Sequence, residues 1–496
     1  MSSARLVASA LTCLVLTAAC GTTVSTRTLA PATGADLGYG GTPAPRDAPL
    51  GRSPSDAVPV DGSRQGGAAS GPGALTPSAS LPSAARSGDL PTTVVPPTGT
   101  TVEVGVATES DASTIGKQFG YGSFDFGDQK GMITAAIDWM NNHGGWLGRK
   151  IVPVFYDVNS VGNATTEASE ACALWTQDHH VIAATLVGRL QLDQMYACLH
   201  HAHVLSFIGM GYAILRSTAD KYSPDLALND TPTFDAFVPV WLDELRAMGY
   251  FTGWNSTTGA PGPAPVKVGI IYEDNPVANN VWTYVKAQLE TRHIPVPVIY
   301  SYTSVQQISG GILQFKAQGV THVFMDQSTG FLYPQQAESQ QFRARYGVNS
   351  LNYLEPYLVN GAVPKAQLAG MMGVGWTPGL DVADAQDPGH TAAQTRCLHI
   401  MRAAGIDVSK RNYRYVAYGG CDLVFLVQAA LLKAGQLTGA GLRAGLRAVA
   451  GTFQMASQLG LADHGADPSL LGYVRGIAFD SGCQCTKYAS RDLRIP

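Results

Sequence analysis

The sequence has little with which to perform covalent chemistry. No Gly-x-Ser-x-Gly elbow, His-Glu-x-x-His helix, phosphate loop or dinucleotide fingerprint stands in the context each requires. That argues against an enzyme and against a nucleotide cofactor. The densest histidines, His179-His180 and His200-His201-x-His203, have no carboxylate joining them at helical spacing. They read as solvated helix ends, where imidazole complements the C-terminal dipole. Cys483 and Cys485 lack the second pair that zinc wants. The net charge of −4 comes without a basic stripe, so nucleic-acid binding has no electrostatic support. No cofactor, metal or nucleic acid is expected.

What is present suits binding outside the cytoplasm. The 496 residues, 45% hydrophobic, suffice for two core-forming domains plus extras. In residues 1–20, Arg5 precedes a short apolar run, Leu6 to Leu16, too short to span a bilayer as a mature helix. Leu16-Thr17-Ala18-Ala19-Cys20 resembles a bacterial lipobox, with Thr17 where Leu is usual. Cys20 is thus the expected lipidation site, and an ordinary secretory signal cut nearby is the alternative. Residues 21–98 are dominated by Gly, Pro, Ser, Thr and Ala, with Tyr39 as the sole aromatic. Such a segment buries too little apolar surface to offset ordering entropy and reads as a disordered tether. As a flexible coil its reach is on the order of 50 Å.

From Thr101 the pattern changes. Val102, Val104 and Val106 alternate with Glu103, Gly105 and Ala107, which predicts a strand. Apolar residues Ile133, Ala136, Ile137 and Met140 predict a helix over 128–141, stopped by Gly144-Gly145. A second strand follows over 151–157, completing a βαβ unit. Strands and helices then alternate to about Phe479, which argues for parallel sheets covered on both faces.

The turn Asn141-Asn142-His143-Gly144-Gly145-Trp146-Leu147-Gly148-Arg149-Lys150, followed by a strand closing in Tyr156-Asp157, resembles the type 1 periplasmic-binding-protein family. It is most similar to the leucine/isoleucine/valine-binding branch that serves ABC importers. The resemblance implies an α/β fold of two Rossmann-like lobes, each a parallel sheet flanked by helices, joined by a multi-strand hinge. It implies lobe 1 over 99–235 and 366–452, and lobe 2 over 236–365 and 453–496. Strand 370–374 and helices 392–404 and 419–434 then fall in lobe 1, and a strand near 352–354 precedes the return. The family often has a disulfide where Cys172 and Cys198 lie. Cys397–Cys421 and Cys483–Cys485 would pair the remaining thiols within each lobe, with free buried thiols as the alternative.

In open parallel sheets ligands bind beyond the carboxyl ends of the strands. From lobe 1 this selects Ser110, Phe119, Tyr121, Arg189, Gln191, Met210 and Tyr212. From lobe 2 it selects Glu273, Asn275, Asp326, Ser328, Glu355 and Tyr357, with Trp376 at the rim. The hydroxyl-rich loop that meets the ligand α-carboxylate in amino-acid-binding members is absent, since this chain has Gly188-Arg189-Leu190-Gln191-Leu192 there. Arg189 could supply a bidentate partner instead. Glu273, Asp326 and Glu355 could meet an ammonium or hydroxyls, and the aromatics suggest a bulkier ligand than leucine.

The expected function is therefore that of an extracytoplasmic solute-binding lipoprotein. It would be a monomer, lipid-anchored to the outer face of the bacterial cell membrane, presenting an amino-acid-like, amide or aromatic or carboxylate compound to an ABC permease. A ligand sensor partnered with a membrane receptor or kinase is the alternative, and a secreted enzyme a more distant one.

Overall fold

The backbone runs as a strand–helix series that builds two sheets. A computed structural model describes residues 99–111, 125–159, 162–209, 213–228, 230–295, 297–327, 329–330, 332–387, 389–462 and 469–495. These all belong to one unit of the chain, Ala79–Pro496. The export signal, Cys20, the tether, Phe119, Tyr121, Met210, Tyr212 and Ser328 lie outside the described residues.

The first sheet has the order β2-β1-β3-β4-β5. Its strands are β1 (Val102–Thr108), β2 (Ile151–Asp157), β3 (Ala183–Leu186), β4 (Leu205–Ile208) and β5 (Leu226–Leu228), all parallel. Helix α1 (Gln129–Asn141) starts at Asp128, whose side chain accepts the Gly131 N–H, and buries Met132, Ile133, Ala136, Ile137 and Met140. At its end the buried Asn141 amide accepts the Ile151 N–H at 2.8 Å and donates to the Ile151 carbonyl at 3.0 Å, clasping the start of β2. Gly144, Gly145 and Gly148 all have positive φ, so the turn demands glycine there. Between them Trp146 is buried and donates to the Val424 carbonyl. Helices α2 (Ala164–Ala173), α3 (Asp193–His201) and α4 (Arg216–Lys221) complete the first half of this lobe.

Helix α5 (Phe234–Ala247) packs Phe237, Trp241 and Leu245 against the second sheet. A short hairpin, β6 (Trp254–Asn255) and β7 (Ala260–Pro261), precedes it. The sheet has the order β14-β13-β12-β11-β10-β8-β9. Its parallel part is β8 (Val268–Glu273), β9 (Val298–Tyr302), β10 (His322–Met325), β11 (Arg345–Asn349) and β12 (Met372–Gly375). Its helices are α6 (Pro276–Thr291), α7 (Ile308–Ala317), α8 (Leu332–Ser339) and α9 (Leu354–Val359). The chain passes through the short α10 (Pro378–Asp381) and returns to the first lobe as α11 (Ala392–Ala403), α12 (Arg411–Ala434) and α13 (Gly439–Val449), which share a core with α1. It ends in an antiparallel hairpin, β13 (Tyr473–Asp480) and β14 (Cys485–Arg494), on the edge of the second sheet. Among the described residues α12 alone is long and apolar enough to cross a membrane, and about two-thirds of its apolar window is buried inside the lobe.

Two expectations need correction. The strand expected at 370–374 in lobe 1 is β12, and it pairs with β11 in the second sheet. The return to lobe 1 follows β12 rather than beginning at 366. The strand expected near 352–354 is instead a 3-10 turn, Ser350–Asn352, ending in Tyr353. The true strand, β11, lies just upstream of it. It was hidden because it opens on a charge. Arg345 is buried, and its guanidinium is satisfied by the Gly249, Tyr250 and Gly370 carbonyls, which no periodicity announces. The three cysteine pairs, Cys172–Cys198, Cys397–Cys421 and Cys483–Cys485, are formed.

Candidate functional site

Three segments cross between the lobes and are laced together by hydrogen bonds. Trp376 Nε1 donates to the Asp230 carbonyl at 2.7 Å, and the Leu459 N–H to the Trp376 carbonyl at 2.9 Å. Ser469 Oγ donates to the Thr231 carbonyl at 2.9 Å. The first crossing leaves β5, so Asp230 stands at the carboxyl edge of the first sheet and at the hinge together.

The Asp230 side chain is 2% exposed. Its Oδ2 accepts from the Tyr415 hydroxyl at 2.9 Å. Burial pushes this carboxyl up to about 7 and the neighbouring Asp422 charge adds to that, while hydrogen bonding from Tyr415, from its own backbone N–H and from the Thr231 hydroxyl opposes it. Glu109, one residue past β1, is pinned through its backbone: its N–H donates to Gln129 Oε1 and its carbonyl accepts from Gln129 Nε2. Burial pushes up the hydroxyls of Tyr353 and Tyr357, which belong to the second lobe; Tyr357, Asp230 and Glu109 add to the rise at Tyr353, and Glu109 to that at Tyr357. The geometry here is the Tyr415–Asp230 hydrogen bond and the Tyr353–Tyr357 ring pair, whose centroids lie 6.5 Å apart.

Tyr353 has φ 49° and ψ 34°, a left-handed conformation that bulky side chains rarely adopt. Its hydroxyl accepts from Gln327 Nε2 at 3.0 Å, while Gln327 Oε1 is buried without a partner among the described residues. Gln327, Asp326 and Asn349 also line a cavity of about 30 Å³ with Ala213 and Phe234. That is room for a water or two.

The residues selected from sequence divide into groups. Tyr357 packs edge to face against Tyr353. Ser110, Glu273, Asn275 and Asp326 lie at the strand ends, as their positions require. Ser110 donates to Asp157, whose carboxyl is held below the usual range. Burial would raise it, but hydrogen bonds from Ser110 and Thr108 and the Lys130 charge outweigh that. Asp326 organises its own loop, accepting the Glu273 N–H at 2.7 Å and the Thr329 N–H at 3.0 Å. Asn275 caps α6 by accepting the Ala278 N–H. Arg189 follows β3 in a single 3-10 turn, and its charge acts on Glu167 in its own lobe.

Three others are committed to the scaffold. Gln191, 1% exposed, donates to the Leu186 and Gly209 carbonyls and ties β3 to β4. Glu355, 1% exposed, accepts the Thr486 N–H at 3.0 Å and its hydroxyl at 2.5 Å. Trp376, expected at the rim, is fully buried against Phe237. Among the histidines, His179 pairs with Glu103 and His200 with Asp225. No group of three or more metal-ligating side chains occurs among the described residues.

Glu109, Asp230, Gln327, Tyr353 and Tyr415 were not singled out from sequence. Glu109 could have been, because it directly follows a recognisable strand. Asp230 could not, since β5 is only Leu226-Ala227-Leu228.

No curated protein matches the sequence. Solved structures do match the fold. A substrate-binding protein of an ABC transporter from Aeropyrum pernix is similar at a TM-score of 0.59 and 15% identity, over 80% of this chain and 97% of that one. A fatty acid ABC transporter substrate-binding protein from Thermomonospora curvata is similar at 0.56 and 15%, over 82% and 98%. A solute-binding protein of an ABC transporter from Rhodopseudomonas palustris, in complex with 3,4-dihydroxybenzoic acid, is similar at 0.54 and 14%, over 80% and 98%. These likenesses concern the two-lobed type 1 fold. The sequence itself matches the family described as periplasmic binding protein over residues 127–467, which is most of the chain, and the chain belongs to that family.

Proposed function

We propose that this chain is the solute-capturing component of an ABC importer, a lipoprotein anchored through Cys20 outside the cytoplasm. It would hold one small molecule between its lobes and present the closed form to a membrane permease, with no covalent step. The observation behind this reading is the pair of sheets, one per lobe, joined by crossing segments that the Trp376–Asp230, Leu459–Trp376 and Ser469–Thr231 hydrogen bonds lace together. The solved relatives support a transport role and differ among themselves in ligand. One is named for a fatty acid and one holds 3,4-dihydroxybenzoic acid.

Closure by a ligand requires differential affinity for the closed form, so binding must raise the melting temperature. The full chain would be screened by thermal shift against amino acids, amides, aromatic acids, sugars and amines. A shift with one class supports solute capture, and silence across the whole panel removes its support. Anchoring is tested by Cys20→Ser, which should move the protein from the membrane fraction to the medium.

A further inference from the structure

We propose that Cys483–Cys485 is a thiol–disulfide exchange site, opened and reclosed by low-molecular-weight thiols while the other two disulfides stay shut. The inference is independent of which solute the protein captures.

The bond joins residues two apart at the tip of the β13–β14 hairpin. The tip is already closed without it. Asp480 pairs with Cys485 in the ladder, and its Oδ1 accepts the Gly482 N–H at 2.6 Å and the Cys483 N–H at 3.3 Å. Its other oxygen pairs with Lys487. Gln484 Nε2 donates to the Ser481 carbonyl at 2.8 Å. On the far side, Thr486 gives its N–H and hydroxyl to Glu355, and its carbonyl accepts the Ala383 N–H at 3.1 Å. Cys485 is therefore held in register by its neighbours whether the bond is made or broken. Opening the bond leaves the turn in place, and the two sulfurs stay close enough to rejoin.

Folding also does little to protect this bond. A disulfide gains from the fold as much as it gives to it, and in the chain-entropy model that gain grows with the loop closed in the unfolded chain. Cys172–Cys198 and Cys397–Cys421 span 26 and 24 residues, against two for Cys483–Cys485. The difference is about 40-fold in the equilibrium with thiols, with the tip bond the easier to reduce.

Access runs the same way. Exchange depends on which sulfur a thiolate can reach. Cys483 is exposed, as are Ser481, Gly482 and Gln484 around it, whereas Cys485 is 9% exposed. Cys397 and Cys421 are buried, and Cys172 and Cys198 are half-buried. An entering thiolate therefore attacks the Cys483 sulfur, forms a mixed disulfide with it and expels Cys485 as a thiolate. That thiolate can attack Cys483 again, restoring the bond and releasing the first thiol. Alternatively a second thiolate attacks the sulfur of the added thiol. Cys483 then leaves as a thiolate, the two small thiols depart as their own disulfide, and both cysteines take protons from solvent. Two electrons have passed from the small thiols to the protein.

The test uses cysteine and cystine as the redox pair. The full chain is equilibrated under native conditions at graded cysteine-to-cystine ratios, alkylated with iodoacetamide and mapped by peptide mass spectrometry. Cys483 and Cys485 should be alkylated first, with an equilibrium constant for reduction about 40-fold above that of Cys397–Cys421. In Cys485→Ser, which lacks the resolving thiol, Cys483 should hold one cysteine as a stable mixed disulfide. In Cys483→Ser the enclosed Cys485 should take up cysteine several-fold more slowly. Opening of the tip bond together with or after the others would overturn the proposal. So would equal uptake rates in the two variants, or purified protein in which Cys483 and Cys485 are not bonded to each other.

Discussion

Glu355 shows how one residue can be misread from its position and still be essential. It follows β11 and carries a charge, which is what a ligand contact looks like in a sequence. In the fold it is fully enclosed and spends its carboxylate on both donors of Thr486, in a strand that the sequence pattern did not predict. Glu355→Ala leaves those donors unpaired, and hydrogen bonds to charged groups are worth about 1.5–3 kcal/mol each. We expect urea denaturation to give an unfolding free energy lower by about 2–4 kcal/mol. Glu355→Gln should recover part of this, because its amide oxygen still accepts. Asn141 makes the complementary case. Its place in the Gly-Gly turn marked the family, and the physical reason is its two hydrogen bonds to Ile151. Asn141→Ala strands two buried backbone groups at the start of β2, for a loss of about 2–4 kcal/mol by the same measurement.

At the level of elements, legibility followed local pattern. The βαβ unit was readable because alternating valines, a 3.6-residue apolar stripe and three glycines of positive φ each specify one conformation. Helix α5 was not legible although Phe237, Trp241 and Leu245 form its buried face, because Pro239 stands inside the helix, beyond the first turn where proline is ordinarily tolerated. The hairpin β13–β14 was half seen: β14 alternates, but Arg, Lys and Asp dominate its outer face, as suits an edge strand. Partner strands are set by long-range packing, which is why β12 went to the wrong lobe. The cysteine pairs offer an element-level test. In the chain-entropy picture a bond closing some 25 residues, as Cys397–Cys421 does between α11 and α12, is worth about 3–4 kcal/mol. One closing a two-residue step, as Cys483–Cys485 does at the hairpin tip, is worth about 1 kcal/mol. Replacing Cys397 and Cys421 by Ala should therefore lower the denaturation midpoint far more than replacing Cys483 and Cys485. Equal effects would show that the tip bond does something other than restrict the unfolded chain.

On the scale of the whole molecule, the crossing segments bury carboxyls where most folds bury apolar groups. Burial pushes Asp230 and Asp381 up to about 7 and Asp422 up to about 6, each partly opposed by hydrogen bonds from Tyr415, from Ser350 and Thr377, and from Ala456 and Ser457. Asp326 is raised to about 6 in the same way. In the unfolded chain these groups titrate near 3.8, so between about pH 4 and 7 the folded state binds more protons. Their contribution to stability is full below about pH 4, declines as pH rises, and is gone above about 7. His322 works against them. It is fully buried, donating from Nε2 to the Tyr250 carbonyl while Nδ1 accepts from Thr321, and burial lowers it to about 4. Its contribution is present above about 6.5 and is lost as pH falls towards 4. Four carboxyls outweigh one imidazole, each group contributing at most about 1.4 kcal/mol per pH unit within its window. Carboxyls held low, such as Asp157 and Asp193, add acid sensitivity only as pH falls below their ordinary value of 3.8. The ligand-free protein should thus show a higher denaturation midpoint at pH 5 than at pH 7.5. Asp230→Asn should flatten that rise by removing one of its sources, and His322→Gln should steepen it. A midpoint that falls from pH 7.5 to 5 in the ligand-free protein would mean that the hinge carboxyls are ionised in the fold, and that their unfilled hydrogen-bonding positions are met by solvent.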